Sequence, residues 1–561
     1  MWVTAACVDP TYRSPVIDSE SDQSAPAPHH VVSGHFEGTD IRFNIYLPPA
    51  NRWQGRFFQY TYPFTDEKAT ERTIGFALAS GGYAVQAGNS TLSLGYRHAA
   101  AAAKFARTVA ARYYSSGSRP IYGYLWGASG GSFQVTGAME NTSGVWAGFM
   151  PLVQGVPMSG PYTFFIRAGA RFLLADKAEE IADAVRPGGS GDPYHGLDAA
   201  EAAMLHELTN FGVQLRAWEN PDYLLGLSAP DGLLGFGSAI RQLDPTYVTD
   251  FWSKPGYLGT ERSPLGGAVR AVLAKMGDTV DHRWDIALGF YYRHQVPPAS
   301  DGYTGFDQFR AADGTPLYPQ RAVLWGPALI GKAPSGGALF NGKVTGKVMV
   351  IDNLYDVDAL PWHADWYSKK VKAALGDRAF QDSYRLYYND HADHLDATGT
   401  RGTYLIDWFG SVEQGLRDLS AWAEDGVAPP ASTTHTIIDQ QVTVPANAAA
   451  RRGLQPTVDL TVRGAASVHV AVGEPVPLKA KVQMPPHTGA VVATEWDCEG
   501  DATYITADFG APKPVVQTGA VCRYDKPGTY YAALRVAGNR NGVRDAFAQV
   551  MDLDRVRVVV R

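Results

Sequence analysis

The chain has 561 residues, of which 45% are hydrophobic and 19% charged, with a formal net charge of −7. At roughly 150 residues per domain that length leaves room for two to four units, and the composition is that of a folded chain. The acidic balance excludes the polycationic footprint of a nucleic-acid binder, and no apolar run reaches the roughly 18–20 residues that a membrane span needs.

The opening "MWVTAACVDPTYRS" has neither a basic start nor a sustained apolar stretch, so it reads as an intracellular protein or a mature form that has lost its signal. Residues 30–155 alternate β-like and helical runs: "IRFNIYLPP" (41–49), "GRFFQYTYPF" (55–64), "YAVQAGNS" (83–90), an alanine-rich helix over 98–114, and "PIYGYLW" (120–126). Strand and helix at this spacing predict βαβ units and a mainly parallel sheet. From about 160 to 340 the texture changes to helical segments, such as 198–218, between Gly- and Pro-rich loops. That block reads as an insertion.

Strand patterns resume at "GKVMVIDNLYD" (346–356) and "SYRLYYNDHADH" (383–394), and an amphipathic helix over 403–426 stops at a glycine. "VAPPAST" (427–433) is a linker by composition. The Val- and Thr-rich remainder, with frequent turns, predicts an antiparallel β-sandwich. The expected boundaries are therefore 1–155 with 345–426 for the α/β domain, 156–344 for the insertion, 427–435 for the linker and 436–561 for the sandwich. Cys498 and Cys522 both fall in the sandwich, where they can pair or stay free; Cys7 lies alone.

One motif carries chemistry. "YGYLWGASGGSFQVTGAM" (122–139) places Ser129 in a G-x-S-x-G pattern between a strand and a helix. The string alone is weak, and its plain alternative is a glycine-rich turn packing a helix onto a strand. The strand–turn–helix context makes it a nucleophile elbow, in which small neighbours let the serine adopt a strained backbone and expose its hydroxyl. The next N–H, that of Gly130, then sits at a helix start and suits an oxyanion.

A serine hydroxyl needs a base to take its proton and an acid to orient that base. Both follow in the order acid, then histidine, each just past a strand: Asp356 and Asp358 in "NLYDVDALP", His391 and His394 in "NDHADHLD". Asp356 is preferred over Asp358 because it stands nearer its strand end, and His394 over His391 because it lies further along the loop. Asp352, Asp390 and Asp393 have ordinary turn roles. The spacing in "DHADH" also suits zinc ligands but lacks a third site, so neither metal nor cofactor is expected.

These segments, with "PHHVVSGHFEGTDIRFNIYLPPANRWQGRFFQY", "ALASGGYAVQAGNS" and "GVWAGFMPLVQGVP", resemble the tannase/feruloyl esterase family of α/β-hydrolases over roughly 28–160 and 345–410. The resemblance implies an α/β-hydrolase fold with a large, mainly helical lid, a carboxylic-ester substrate, and Ser129, Asp356 and His394 as the triad. The sequence departs from the family in two places. The family's cysteines beside the serine and the histidine are here Ala128 and Leu395, so that disulfide tether is missing. Its glycine-rich oxyanion loop is replaced by Tyr60-Thr61-Tyr62, which leaves the Tyr60 or Thr61 N–H as the expected second oxyanion donor.

Aromatic density in the insertion, as in "GPYTFFIRAGARF" (160–172), suits an aromatic or bulky apolar ester, small or polymer-linked, although such residues also serve the insertion's own core. "TEWDCEGD" (494–501) and "YDKPGTYYAALRV" (524–536) resemble a polycystic-kidney-disease-type (PKD) module, with Trp496 as core aromatic; the resemblance implies a secreted protein and an accessory role. Two other functions share these residues: an amidase or peptidase with the same triad, and a binding protein on a retired hydrolase scaffold. A neutral histidine base would lose activity below roughly pH 6 to 7.

Overall fold

Nine strands form the central sheet of the computed structural model, which describes residues 2–322, 333–395, 397 and 399–561. They are β1 (Pro15–Gln23), β2 (His29–Phe36), β3 (Arg42–Leu47), β4 (Arg56–Tyr60), β5 (Gly82–Gly88), β6 (Tyr122–Ala128), β7 (Gly148–Leu152), β8 (Lys347–Asn353) and β9 (Tyr384–Asn389). Their spatial order is β9-β8-β7-β6-β4-β5-β3-β2-β1. Every pair from β5 to β9 is parallel, and β1, β2 and β3 add an antiparallel edge. All seven residues of β5 are buried, as are all but the first of β8. Runs buried on both faces are what a parallel sheet covered by helices requires.

The covering helices include α1 (Glu71–Ala79), α2 (Arg97–Tyr113) and α3 (Gly130–Asn141). In α2 the alanines at 99–103, 106 and 110 are all buried, so the helix lies close against the sheet. The strand read over 55–64 ends at Tyr60, because the chain turns away before Pro63.

The chain leaves the sheet after β7 and returns at β8. Between them lie mostly helices, among them α4 (Tyr162–Leu174), α5 (Ala199–Phe211), α6 (Pro264–Met276) and α7 (Val280–Leu288). Residues 323–332 of the expected insertion lie outside the described residues. The helix expected over 198–218 begins at a capping box, Asp198 with Glu201, and stops at Gly212, whose φ of 113° ends the helical turn. After β8 come α8 (Trp362–Leu375) and, after β9, α9 (Phe409–Asp425). This strand order, with helices on both faces and the insertion between β7 and β8, is an α/β-hydrolase fold.

Residues 428–433 run along the open edge of β9. Thr433 N–H donates to Leu386 O at 3.0 Å, Tyr388 N–H to Thr433 Oγ1 at 3.1 Å and Leu386 N–H to Ser432 Oγ at 3.1 Å. The next segment departs from the expected boundary at 436. Thr436–Ile438 and Gln441–Thr443 form a separate hairpin on the insertion, where Gln441 Nε2 donates to Thr209 O and Val213 O.

The sandwich strands begin at Thr457. One sheet holds β10 (Thr457–Val462), β12 (Val476–Gln483) and β15 (Val515–Cys522); the other holds β11 (Ser467–Val470), β13 (Ala490–Asp497), β14 (Ile505–Thr506), β16 (Gly528–Asn539) and β17 (Val550–Val560). All pairings are antiparallel except β11 with β17. Trp496 lies in the core, and a Cys498–Cys522 disulfide joins the ends of β13 and β15 across the two sheets. The sandwich docks on α9, where Ala548 N–H donates to Glu413 and Arg540 pairs with Asp418.

Candidate active site

Ser129 stands between the last residue of β6 and the first of α3. Its φ of 56° and ψ of −118° are a strained conformation for a residue with a Cβ, costing on the order of 1–3 kcal/mol. The turn survives because it is tied down: Ser129 N–H donates to Leu152 O at 3.1 Å, and Ser129 O accepts from Ser132 N–H and Oγ–H. Its glycines are there for close approach. A Cβ on Gly127 or Gly131 would stand 2.4 or 2.2 Å from Thr61 O.

That approach also decides which amides face the serine. Thr61 N–H donates to Trp126 O at 3.0 Å, and Tyr60 lies in register between Gln86 and Trp126 within the sheet. Among the described residues the N–H groups of Tyr62 and Gly130 make no hydrogen bond, and both residues line the cavity that holds Ser129. The unbonded amides beside Ser129 are therefore those of Gly130 and Tyr62, and Tyr62 lies one residue beyond Thr61 and two beyond Tyr60, the two read from the sequence.

The candidate acid and the candidate base come together on the neighbouring loops. Asp356, fully buried after β8, approaches His394 Nδ1 to 2.7 Å through Oδ2. Its Oδ1 accepts the N–H groups of Asp358 (2.8 Å) and Ala359 (2.9 Å), which fixes the carboxylate plane. Asp358 does not face Nδ1. It pairs with Arg167, accepts Tyr223 O–H at 2.5 Å, and has Oδ2 3.9 Å from His394 Nε2. His391 turns away from Ser129 and toward Asp552 of the sandwich, with Nδ1 2.9 Å from Oδ1.

His394 and Ser129 line one cavity of about 360 Å³ without a hydrogen bond between them. Catalytic contacts of this kind are often long before substrate arrives. Burial disfavours a charged His394, but Asp356 and Asp358 outweigh it and push its pKa up to about 9. Burial and then Asp356 drive Asp352, at the end of β8, well above the usual carboxylate range, against the pull of the Gln154 and Asn353 N–H groups that it accepts. Asp358 moves the other way, since Arg167, His394 and the Tyr223 hydroxyl overcome its burial and hold it ionised.

The rest of the cavity is apolar, with walls from Tyr62, Leu92 and Phe133 on the hydrolase side and Phe164 and Phe236 on the insertion. Phe64, Leu92 and Leu94 are about half exposed at its mouth. Arg167, on α4, was not singled out by the sequence, although an arginine directly following the aromatics of 162–166 was its signal. It is 1% exposed and also donates to Leu224 O and Tyr223 O. Among the described residues no group of three or more His, Cys, Asp or Glu is placed to hold a metal ion, and no helix is long and apolar enough to cross a membrane.

No protein-family model matches the sequence. No curated protein matches it either. Among solved structures the chain is similar to feruloyl esterase B from Aspergillus oryzae, at 13% identity over 75% of this chain and 89% of that one, with a TM-score of 0.38. It is also similar to tannin acyl hydrolase from Aspergillus niger, at 12% identity over 76% and 84%, TM-score 0.37, and to an esterase from Aspergillus oryzae, at 14% identity over 77% and 90%, TM-score 0.36.

Proposed function

We propose that this protein is a serine hydrolase that cleaves apolar carboxylic esters through an acyl-enzyme. The observation that carries the reading is the strained Ser129 elbow sharing an apolar cavity with a His394 whose Nδ1 is bound by Asp356. His394 takes the Ser129 proton on Nε2 as Oγ attacks the ester carbonyl. The tetrahedral oxyanion is received by the Gly130 and Tyr62 N–H groups, and His394 returns the proton to the leaving alcohol. Water, deprotonated by the same nitrogen, attacks the acyl-enzyme, and the carboxylic acid leaves.

The cavity favours an uncharged substrate. Its walls are aromatic and aliphatic, and its fixed charge beside His394 is the Asp358 carboxylate, which repels an anionic group close to the scissile bond. The disulfide in the sandwich fits an oxidising, extracellular setting. The test is labelling by a fluorophosphonate probe together with hydrolysis of aryl esters. Labelling and turnover that vanish in Ser129→Ala support the reading, and a wild-type protein that neither labels nor turns over overturns it.

A further inference from the structure

The loop that carries His394 has no covalent tie to the serine elbow, since Ala128 and Leu395 stand beside the two residues. What holds it comes from the other end of the chain. His391, the second residue of the loop, has a φ of 54°, a left-handed turn that costs a residue with a Cβ unless its surroundings fix it. Its ring is buried against Asp552 of β17 at 2.9 Å, with Arg216 Nη2 3.4 Å from Nε2. Asp390 is gripped through its backbone by Gln455, which precedes β10. Gln455 Oε1 accepts Asp390 N–H at 2.8 Å, and Nε2 donates to both Asp390 O (2.9 Å) and Met551 O (3.0 Å).

The same strand reaches the insertion. Arg555 pairs with Glu219, and Arg557 with Asp183 and Pro187 O. Asp390 and Asp552 are further crossed by Arg451, at 3.6 and 3.9 Å. Polar groups this deeply buried are costly to leave without a partner, so the cluster is firm only while each position keeps an atom that can hydrogen-bond. One edge of the sandwich thus meets the histidine loop and the base of the insertion together.

We infer that the β-sandwich is a working part of the active site, in which Asp552 and Gln455 act as positioning residues that hold the His391 turn and so place His394 over the elbow. The inference builds on the hydrolase reading for its consequence, not for its geometry. A sandwich that served only as a stabilising appendage would have no reason to grip the loop backbone one residue past the end of β9.

Amide hydrogen exchange and ester kinetics on the full-length protein test it, using Asp552→Ala, Asp552→Asn and Gln455→Leu, each with its thermal transition recorded. Asn keeps an oxygen to accept the His391 N–H, so Asp552→Asn retains exchange and turnover within about twofold of wild type. In Asp552→Ala and Gln455→Leu, exchange across 390–395 speeds up about tenfold or more, and kcat falls about tenfold with KM unchanged, because misplacing a base by a fraction of an ångström costs rate, not binding. Unchanged exchange in 390–395 in both variants overturns the inference, as does a fall in Asp552→Asn as large as in Asp552→Ala. Exchange is read whether or not the protein is an enzyme, so a wild type without turnover refutes the hydrolase reading and leaves the clamp still decided by its own measurement.

Discussion

His394 stands between two carboxylates, with Asp356 2.7 Å from Nδ1 and Asp358 3.9 Å from Nε2. A charged ring is favoured on both sides, and the nitrogen that takes the serine proton in the proposed mechanism is the one facing Asp358.

The pH profile should follow. A base works only when neutral, and the His394 pKa is pushed up to about 9, so kcat/KM rises with pH through about 9 instead of leveling near 6 to 7. Asp358→Asn removes one of the two attractions and moves that limb to lower pH. The sign for stability is opposite: a raised folded pKa gives a contribution fully present below the unfolded value of about 6.5 and lost as pH rises through the folded one. A profile flat between pH 5 and 9, or unmoved by Asp358→Asn, refutes this.

The elbow stores strain that glycine relieves. Ser129→Gly should abolish labelling and raise stability by about 1 kcal/mol over Ser129→Ala, since glycine takes φ near 56° and ψ near −118° without a Cβ clash. Thermal unfolding of the two variants decides it. Equal midpoints would mean that the turn is not strained.

The apolar cavity predicts a graded response to chain length. Across aryl esters of lengthening acyl chain, kcat/KM should climb about fourfold per methylene until the cavity is full. An ester with a carboxylate near the scissile bond should react more slowly than its uncharged analogue, by an amount that shrinks in Asp358→Asn. A flat series would place the acyl group outside the cavity.

The disulfide gives a fourth expectation. It closes a loop of 24 residues, so Cys498→Ser with Cys522→Ser should cost the sandwich about 3 kcal/mol. If the sandwich holds the histidine loop, esterase activity on warming is lost with the sandwich transition and not with the hydrolase transition. Activity that outlives an unfolded sandwich would separate the two.

Legibility in the sequence follows the range of the forces involved. Ser129, Asp356 and His394, the residues of the proposed triad, could be picked out as candidates because each sits just past a strand, and a buried strand is a local pattern. The proposed second oxyanion amide, Tyr62, lies past the Tyr60 or Thr61 of the sequence reading because a parallel ladder consumes N–H groups according to register, and Thr61 donates to Trp126, 65 residues away. Arg167 and Asp552 were out of reach for a related reason. Their partners, Asp358 and His391, are 191 and 161 residues distant, and no local periodicity encodes such a pairing. The sandwich boundary moved from 436 to 457 because a Thr- and Val-rich hairpin reads alike whether it joins a sandwich or packs on a helical insertion.

The run 428–433, read first as a spacer, carries a practical consequence. An unpaired strand edge is a template for other chains, and here the segment after Gly426 supplies Leu386 and Tyr388 with partners on that edge. A recombinant fragment cut after the last hydrolase helix would therefore emerge with β9 bare. Its tendency would be to add a neighbour's strand where its own tail belongs, precipitating for reasons unrelated to the health of its core.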